Sequence, residues 1–285
     1  MYKFAVIGYP ISHSKSPEIH RLFAEQTNLQ VVYNKVQVSR ELLSNQIDNL
    51  IESGYEGVNV TVPLKEDMFE LALSRKHLIS ERAFEAKCAN TVGIKEGVLF
   101  IDNTDGIGFI KSMDKSIRDG ITKKNLLIIG AGGVTKGILG PLIDLSPKSI
   151  TLANRSLQRL DDIKNQFNGS KVSFVSLGEL QTEEKFRIEP CIQGFDIIIN
   201  ATSGSMGSDE ALIDPRFFET SEVAIDLFYS KKLTTFLEKA SKAGCPKVFD
   251  GFSMLVEQAA ESFFLWTGLK PNTEELKENR EIFFK

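Results

Sequence analysis

Residues 125–137, Asn-Leu-Leu-Ile-Ile-Gly-Ala-Gly-Gly-Val-Thr-Lys-Gly, constrain the fold more than any other stretch. Leu126 to Ile129 form a short unbroken apolar run, the pattern of a strand buried on both faces. Gly130, Gly132 and Gly133 follow at once, and Val134, Ile138, Leu142 and Leu145 then recur at helical spacing. A strand, a glycine turn and a helix in that order are the context in which a dinucleotide fingerprint is credible. The glycines let the backbone approach a pyrophosphate, and the helix N-terminus offers it free N–H groups. The third small position is Thr135 rather than glycine, so an ordinary strand-to-helix turn is the competing reading.

A chain of 285 residues with 42% hydrophobic content has room for one large or two ordinary domains. Its formal charge of −4 and lack of a basic patch speak against nucleic acid. No run reaches the length of a membrane span, so no membrane partner is expected. Cys88, Cys191 and Cys245 are scattered and odd in number, which fits a reduced, cytoplasmic compartment. His13, His20 and His77 make no metal-ligand spacing with those cysteines, and no metal is expected.

Strand and helix alternate from the start. Strands are expected at Tyr2 to Ile7, Val31 to Val38 and Val58 to Val62, and a hairpin of Ala89 to Ile94 with Val98 to Ile101 around Glu96-Gly97. Helices are expected from Pro17 to Thr27, with Ser16 as N-cap, from Arg40 to Ser53, with Ser39 as cap, and from Lys65 to Leu73. A helix should follow Asp105. The βαβ pattern then restarts, with strands at Leu126 to Ile129, Ile150 to Ala153, Val172 to Val175, Asp196 to Asn200, Val223 to Asp226 and Lys247 to Phe249. A long apolar helix from Phe252 to Trp266 should return to the first domain. The expected architecture is α/β in two domains. Residues 1–104, completed by 252–285, form one α/β domain; residues 105–251 form a second, Rossmann-type and doubly wound, that carries the dinucleotide fingerprint.

Polar clusters punctuate this pattern. Ser14 and Ser16 lie at a helix start, where hydroxyls and the helix dipole suit a carboxylate, or where Ser16 only caps. Asn59 and Thr61 share one face of a buried strand, and Lys65 lies just past its end, where a lysine is more often solvated. Asn90-Thr91 begins a strand. Asn103-Thr104-Asp105-Gly106 opens a helix, and Asp105 there is either a reacting carboxylate or a cap. Asn154-Arg155-Ser156 ends the second strand of the nucleotide unit, where a carboxylate would select NAD. An amide and a guanidinium instead suit the 2′-phosphate of NADP. Thr202, Tyr229 and Gly251 also sit at or just beyond strand ends, and Gln258 lies on the long helix.

In this order the clusters resemble those of the shikimate dehydrogenase family over nearly the whole chain, from Gly8-Tyr-Pro10 to Gln258-Ala-Ala260. The resemblance implies NADPH-dependent reversible reduction of 3-dehydroshikimate to shikimate, within chorismate and aromatic amino acid synthesis. It implies Lys65 and Asp105 as the catalytic pair. Ser14 and Ser16 become the hydroxyls that hold the substrate carboxylate, Thr61, Asn90 and Gln258 the ligands of the ring hydroxyls, and Tyr229 a further pocket residue. It implies Gly130, Ala131, Gly132, Gly133 and Val134 as the phosphate loop, Asn154, Arg155 and Ser156 as the 2′-phosphate site, and Thr202 and Gly251 as lining of the cofactor cleft. The expected partner is shikimate or 3-dehydroshikimate, and the expected assembly is a monomer or homodimer. Lys87-Cys88 and Ser253 depart from the family pattern. Use of quinate or NAD, a catalytically silent homologue and a different Rossmann dehydrogenase are the alternatives.

Overall fold

The computed structural model describes residues 1–95, 97–167, 170–180, 194–202 and 213–284. They divide into two compact units, Met1–Ser112 with Met254–Lys285, and Met113–Ser253. The sequence pattern placed these divisions at 104/105 and 251/252. Each unit is an α/β structure with its own six-stranded sheet among the described residues.

In the first unit β1 (Tyr2–Gly8), β2 (Val31–Gln37), β3 (Gly57–Val60), β4 (Leu78–Ile79), β5 (Thr91–Lys95) and β6 (Val98–Asp102) lie in the order β2-β1-β3-β5-β6-β4. β1 pairs in parallel with both β2 and β3, while β5 is antiparallel to β3 and β6. Ile7, Val60, Leu64, Met68 and Ile101 fill one core beside the sheet. Glu96, expected at the hairpin tip, lies outside the described residues.

The second unit is a parallel sheet of β7 (Asn125–Ile129), β8 (Ser149–Asn154), β9 (Val172–Ser176), β10 (Ile197–Asn200), β11 (Val223–Asp226) and β12 (Lys247–Asp250), ordered β12-β11-β10-β7-β8-β9. Counting from β7, this is the 3-2-1-4-5-6 order of a Rossmann sheet, with its switch point between the first and fourth strands. All five residues of β7 and all four of β10 are buried, as their continuous apolar runs require. Carboxyl ends of β7 and β10 are therefore neighbours, and ligands of such sheets bind beyond that edge.

Some local expectations shift. The first helix runs Ser16–Thr27 with Lys15 at the cap position and no side-chain cap bond, so Ser16 is not the cap. Ser39 likewise makes no cap bond, and a short 3-10 turn, Arg40–Leu42, precedes the helix Leu43–Glu52. β3 stops at Val60, which leaves Thr61 just beyond the strand.

Candidate active site

Lys65 opens the helix Lys65–Ser74, and Asp105 opens the helix Asp105–Ser112. Both side chains are buried, against the ordinary expectation for a lysine just past a strand, and Lys65 Nζ lies 2.6 Å from Asp105 Oδ2. Asp105 does not serve as a cap. Asn103 Oδ1 accepts from the Asp105 backbone N–H at 3.0 Å, which leaves the Asp105 carboxylate to other partners. Its second oxygen, Oδ1, accepts from Asn90 Nδ2 at 2.9 Å.

Asn90 is the hub of this cluster. Its Nδ2 also lies 3.2 Å from Gln258 Oε1 and 2.9 Å from Thr104 Oγ1. Its Oδ1 accepts from the Thr104 backbone N–H at 2.8 Å and from the Thr91 hydroxyl at 2.9 Å. Those acceptor bonds fix which end of the amide faces Asp105. Gln258 in turn donates from Nε2 to the Leu255 carbonyl at 2.8 Å, so only its Oε1 faces Asn90. Behind the hub, the buried Ser262 hydroxyl stands 2.7 Å from Thr91 Oγ1 and accepts from Asn59 Nδ2 at 3.0 Å. Sequence reading passed over Ser262, although it lies four residues from Gln258, one turn along the same helix face.

Ser14 and Ser16 are both buried, with Oγ atoms 3.2 Å apart. Near Ser16 stands Tyr33, whose hydroxyl donates to Asn59 Oδ1 at 2.7 Å. Burial, partly offset by hydrogen bonding with Ser16, pushes the Tyr33 phenol well above its ordinary range. Tyr33 was not singled out from sequence, because one tyrosine in a half-exposed strand carries no spacing signal. Thr61, half-buried, donates from its backbone N–H to the Ile7 carbonyl at 2.9 Å and packs its methyl beside Gly8. Lys65, Asp105, Asn90 and Gln258 thus meet in the first unit, and Ser14, Ser16 and Thr61 belong to the same unit.

Tyr229 and the nucleotide motifs belong to the second unit. Gly130 has φ +106°, and a Cβ there would stand 2.9 Å from Thr202 Cγ2 and 3.1 Å from the Ala201 carbonyl carbon. Glycine is thus required both by conformation and by the close approach of the β10 end. Gly132 caps the helix Gly133–Asp144 in extended conformation, and no atom stands within 4 Å of where its Cβ would be. The Thr135 hydroxyl donates to the Gly130 carbonyl at 2.7 Å, so the departure from glycine ties the loop down. Ala131 and Val134 complete this turn, one on each side of the two glycines.

Asn154 ends β8 and donates to the Ser156 carbonyl at 3.0 Å, while Ser156 Oγ caps the next helix through the Arg159 N–H. Arg155 between them is exposed and has no ion pair among the described residues. Thr202 donates to Asn200 Oδ1 at 2.8 Å, and Asn200 Nδ2 to Asp226 Oδ1 at 3.0 Å, which links the ends of β10 and β11. Gly251 takes its place because a Cβ would stand 2.1 Å from the Leu227 carbonyl oxygen. The Tyr229 ring stacks on Phe228 with centroids 5.9 Å apart. Ser203 and Cys191 lie outside the described residues.

Comparison with known proteins bears on the family and the fold. Residues 6–92 match the shikimate dehydrogenase substrate binding domain, residues 112–221 the shikimate / quinate 5-dehydrogenase model, and residues 251–278 the shikimate 5'-dehydrogenase C-terminal domain. A shikimate dehydrogenase (NADP(+)) of Marinobacter nauticus is 39% identical, with 96% of each chain covered. One from Legionella pneumophila is 37% identical over 99% of each chain. The crystal structure of the Thermus thermophilus shikimate 5-dehydrogenase in complex with NADP(H) and shikimate superimposes with a TM-score of 0.82, at 30% identity and with 100% of each chain covered. Near-complete coverage at such identity, on the same two α/β units, shows that the chain belongs to the shikimate dehydrogenase family.

Proposed function

We propose that this chain catalyses the NADPH-dependent, reversible reduction of 3-dehydroshikimate to shikimate, in the synthesis of chorismate and aromatic amino acids. The observation that carries the reading is the buried Lys65–Asp105 pair at 2.6 Å, with the second carboxylate oxygen held by Asn90. Substrate belongs to the first unit, with Ser14 and Ser16 for its carboxylate and Thr61, Asn90 and Gln258 for its hydroxyls. Tyr229 is a further contact. Cofactor belongs to the second unit. Its residues fit the group: Gly130 and Gly132 keep the turn free of side chains, a twelve-residue helix presents its N-terminus, and Arg155 offers an exposed guanidinium with no ion pair among the described residues. The residues that would hold it are Gly130, Ala131, Gly132, Gly133 and Val134 for the pyrophosphate, Asn154, Arg155 and Ser156 for the 2′-phosphate, and Thr202 and Gly251 just beyond the ends of β10 and β12.

When bound, the reduced cofactor supplies a hydride to the substrate carbonyl carbon. Negative charge then grows on the carbonyl oxygen, and Lys65 meets it with an N–H and passes it a proton. Asp105 holds the lysine amino group through Oδ2, and Asn90 keeps that carboxylate from rotating by binding Oδ1. In the oxidising direction Lys65 takes the proton back from the hydroxyl. No group of the pair has to be rebuilt between the directions. An enzyme of this kind works in the cytoplasm as a monomer or homodimer, with no nucleic-acid or membrane partner. The acidic charge balance supports that reading, and no described helix is long and apolar enough to cross a membrane.

The decisive assay follows NADP+ reduction by the purified chain with shikimate, against quinate and against NAD+. Turnover of shikimate with NADP+ well above the other pairs is expected. Turnover only with quinate, or only with NAD+, would overturn the assignment.

A further inference from the structure

The helix Phe252–Thr267 carries Gln258, and something must fix its register against the helix that begins at Asp105. Two contacts do so, one turn apart. At the first, Gly108 faces Gln258: a Cβ on Gly108 would lie 2.6 Å from Gln258 Cβ and 2.7 Å from its backbone nitrogen. Three residues further along both helices, Lys111 Nζ lies 3.1 Å from Glu261 Oε2. The other Glu261 oxygen, Oε1, lies 3.2 Å from Arg82 Nη1. Arg82 also grips Asp102, with Nη2 to Oδ2 at 2.6 Å and Nε to Oδ1 at 3.1 Å. Asp102 ends β6, and its Oδ1 accepts the N–H of Asn103, the residue whose side chain caps Asp105.

We propose that Glu261 is a positioning residue for the substrate site, joining the Gln258 helix to Arg82 and Lys111 so that Gln258 Oε1 stays on Asn90. The inference rests on the reading of Gln258 as a substrate ligand. Two cations and two carboxylates balance in this array, so Glu261 is not left as a lone buried charge. Its side chain is only 12% exposed, whereas Arg82 and Lys111 are 34% and 43% exposed. The Arg82 and Lys111 ends of these pairs are a third or more open to water, which screens them and keeps their contribution to global stability modest. Their effect is on the register of one helix, and Gln258 sits one turn away on the same face.

The test is a cycle of Glu261→Gln and Gln258→Ala, each singly and together, read as KM for shikimate, KM for NADP+ and kcat. Glu261→Gln keeps the size and removes the charge. It should raise KM for shikimate by about three- to tenfold, with kcat and the KM for NADP+ within about twofold. In the Gln258→Ala background it should change KM for shikimate by less than about twofold, because the residue it acts through is gone. Glu261→Asp, which keeps the charge, should fall between wild type and Glu261→Gln. Equal fold-changes in both backgrounds would overturn the inference, since a merely structural residue would weaken both alike. Raised KM in Gln258→Ala with wild-type KM in Glu261→Gln would remove Glu261 alone. A Gln258→Ala enzyme with wild-type KM would remove the reading of Gln258, and Glu261 with it. Should Glu261→Gln not fold, Lys111→Gln at the exposed end of the array takes its place in the same cycle.

Discussion

Asp105 is 3% exposed and has both oxygens engaged, one by Lys65 and one by Asn90, whereas Arg155 stands exposed and, among the described residues, without an ion pair. In the proposed roles, the first unit prepares its reacting groups in advance, out of water, where a dipole aimed at a growing charge needs no rearrangement. The second unit leaves its cation open. In the proposed role of Arg155, a dianionic group entering from solvent meets a guanidinium that has no ion pair among the described residues. Chemistry demands fixed geometry in the one region, and recognition demands vacant bonding capacity in the other. Substitutions in the two units should therefore fail in different kinetic constants.

The largest expected loss comes from the closed region. Lys65→Ala should lower kcat by at least about a hundredfold, the lower end for general acid–base catalysis. Its affinity for NADP+, measured by cofactor fluorescence titration, should match wild type. Wild-type-like turnover would remove Lys65 from the proton step.

Acid should reveal the same asymmetry in stability. His20 is fully buried in the first unit, its ring 4.4 Å from Tyr33 and 5.5 Å from Trp266. Burial, opposed only in part by the Asn59 side chain, holds its imidazole down at about 3. Above its ordinary value of about 6.5 the imidazole is neutral folded or unfolded and contributes no pH dependence. As pH falls below that value, the unfolded chain gains a proton that the folded chain refuses. Stability drops by about 1.4 kcal/mol per pH unit until the fall levels off near the folded value. At about pH 4.5 the loss is on the order of 3 kcal/mol relative to neutrality. Trp266 is the sole tryptophan, so its fluorescence in urea titrations reports on the first unit. A His20→Leu variant should lose this acid slope; an unchanged slope would assign it to other groups.

How far sequence alone carries differs between the regions for a physical reason. Buried parallel strands read as unbroken apolar runs, which is why β7, β10 and β11 fell close to their expected bounds. β4, only Leu78–Ile79, and the helix Glu81–Ala86 after it have no such run and went unread. They exist because β4 pairs with β6 and because Ser80 caps the short helix through the Ala83 N–H. Residue types at the site were legible; their joining was not. The bond from Asn59 to Ser262 spans 203 residues, and it depends on the register of a helix that returns from the end of the chain. A serine before a helix also reads as a cap, yet the Ser16 hydroxyl instead faces Ser14.

The open region should fail in cofactor choice. Arg155→Ala should weaken NADP+ binding by about ten- to a hundredfold, the loss of a charge-assisted hydrogen bond or two. NAD+ should be nearly unaffected, since it has no 2′-phosphate. Comparing kcat/KM for both cofactors in wild type and variant decides this. Equal weakening for both would make Arg155 a structural residue of the turn and would erase the contrast with the closed site.

The smallest effect, and the sharpest for the comparison, belongs to Ser14 and Ser16. They combine features of both regions: buried like the Lys65 cluster, yet bonded to neutral groups, with the two hydroxyls 3.2 Å apart and Ser16 also hydrogen-bonded to Tyr33. A hydroxyl pair of that kind can turn outward to a carboxylate at little cost, because each gives up only a weak neutral bond. Losing one hydrogen bond to a charged group should raise KM for shikimate by about tenfold in Ser14→Ala, with kcat nearly kept. No cap bond runs from the Ser16 side chain, so Ser16→Ala should show the same pattern without loss of helix stability, although it also removes the bond to Tyr33. An analogue in which the carboxylate is replaced by a neutral group should bind wild type and both variants alike. Unchanged KM in both variants would make the pair part of the local packing around Tyr33 and Asn59. A fall in kcat as large as that of Lys65→Ala would instead move the serines into the preorganised site, and the division between closed chemistry and open recognition would have to be redrawn inside the first unit.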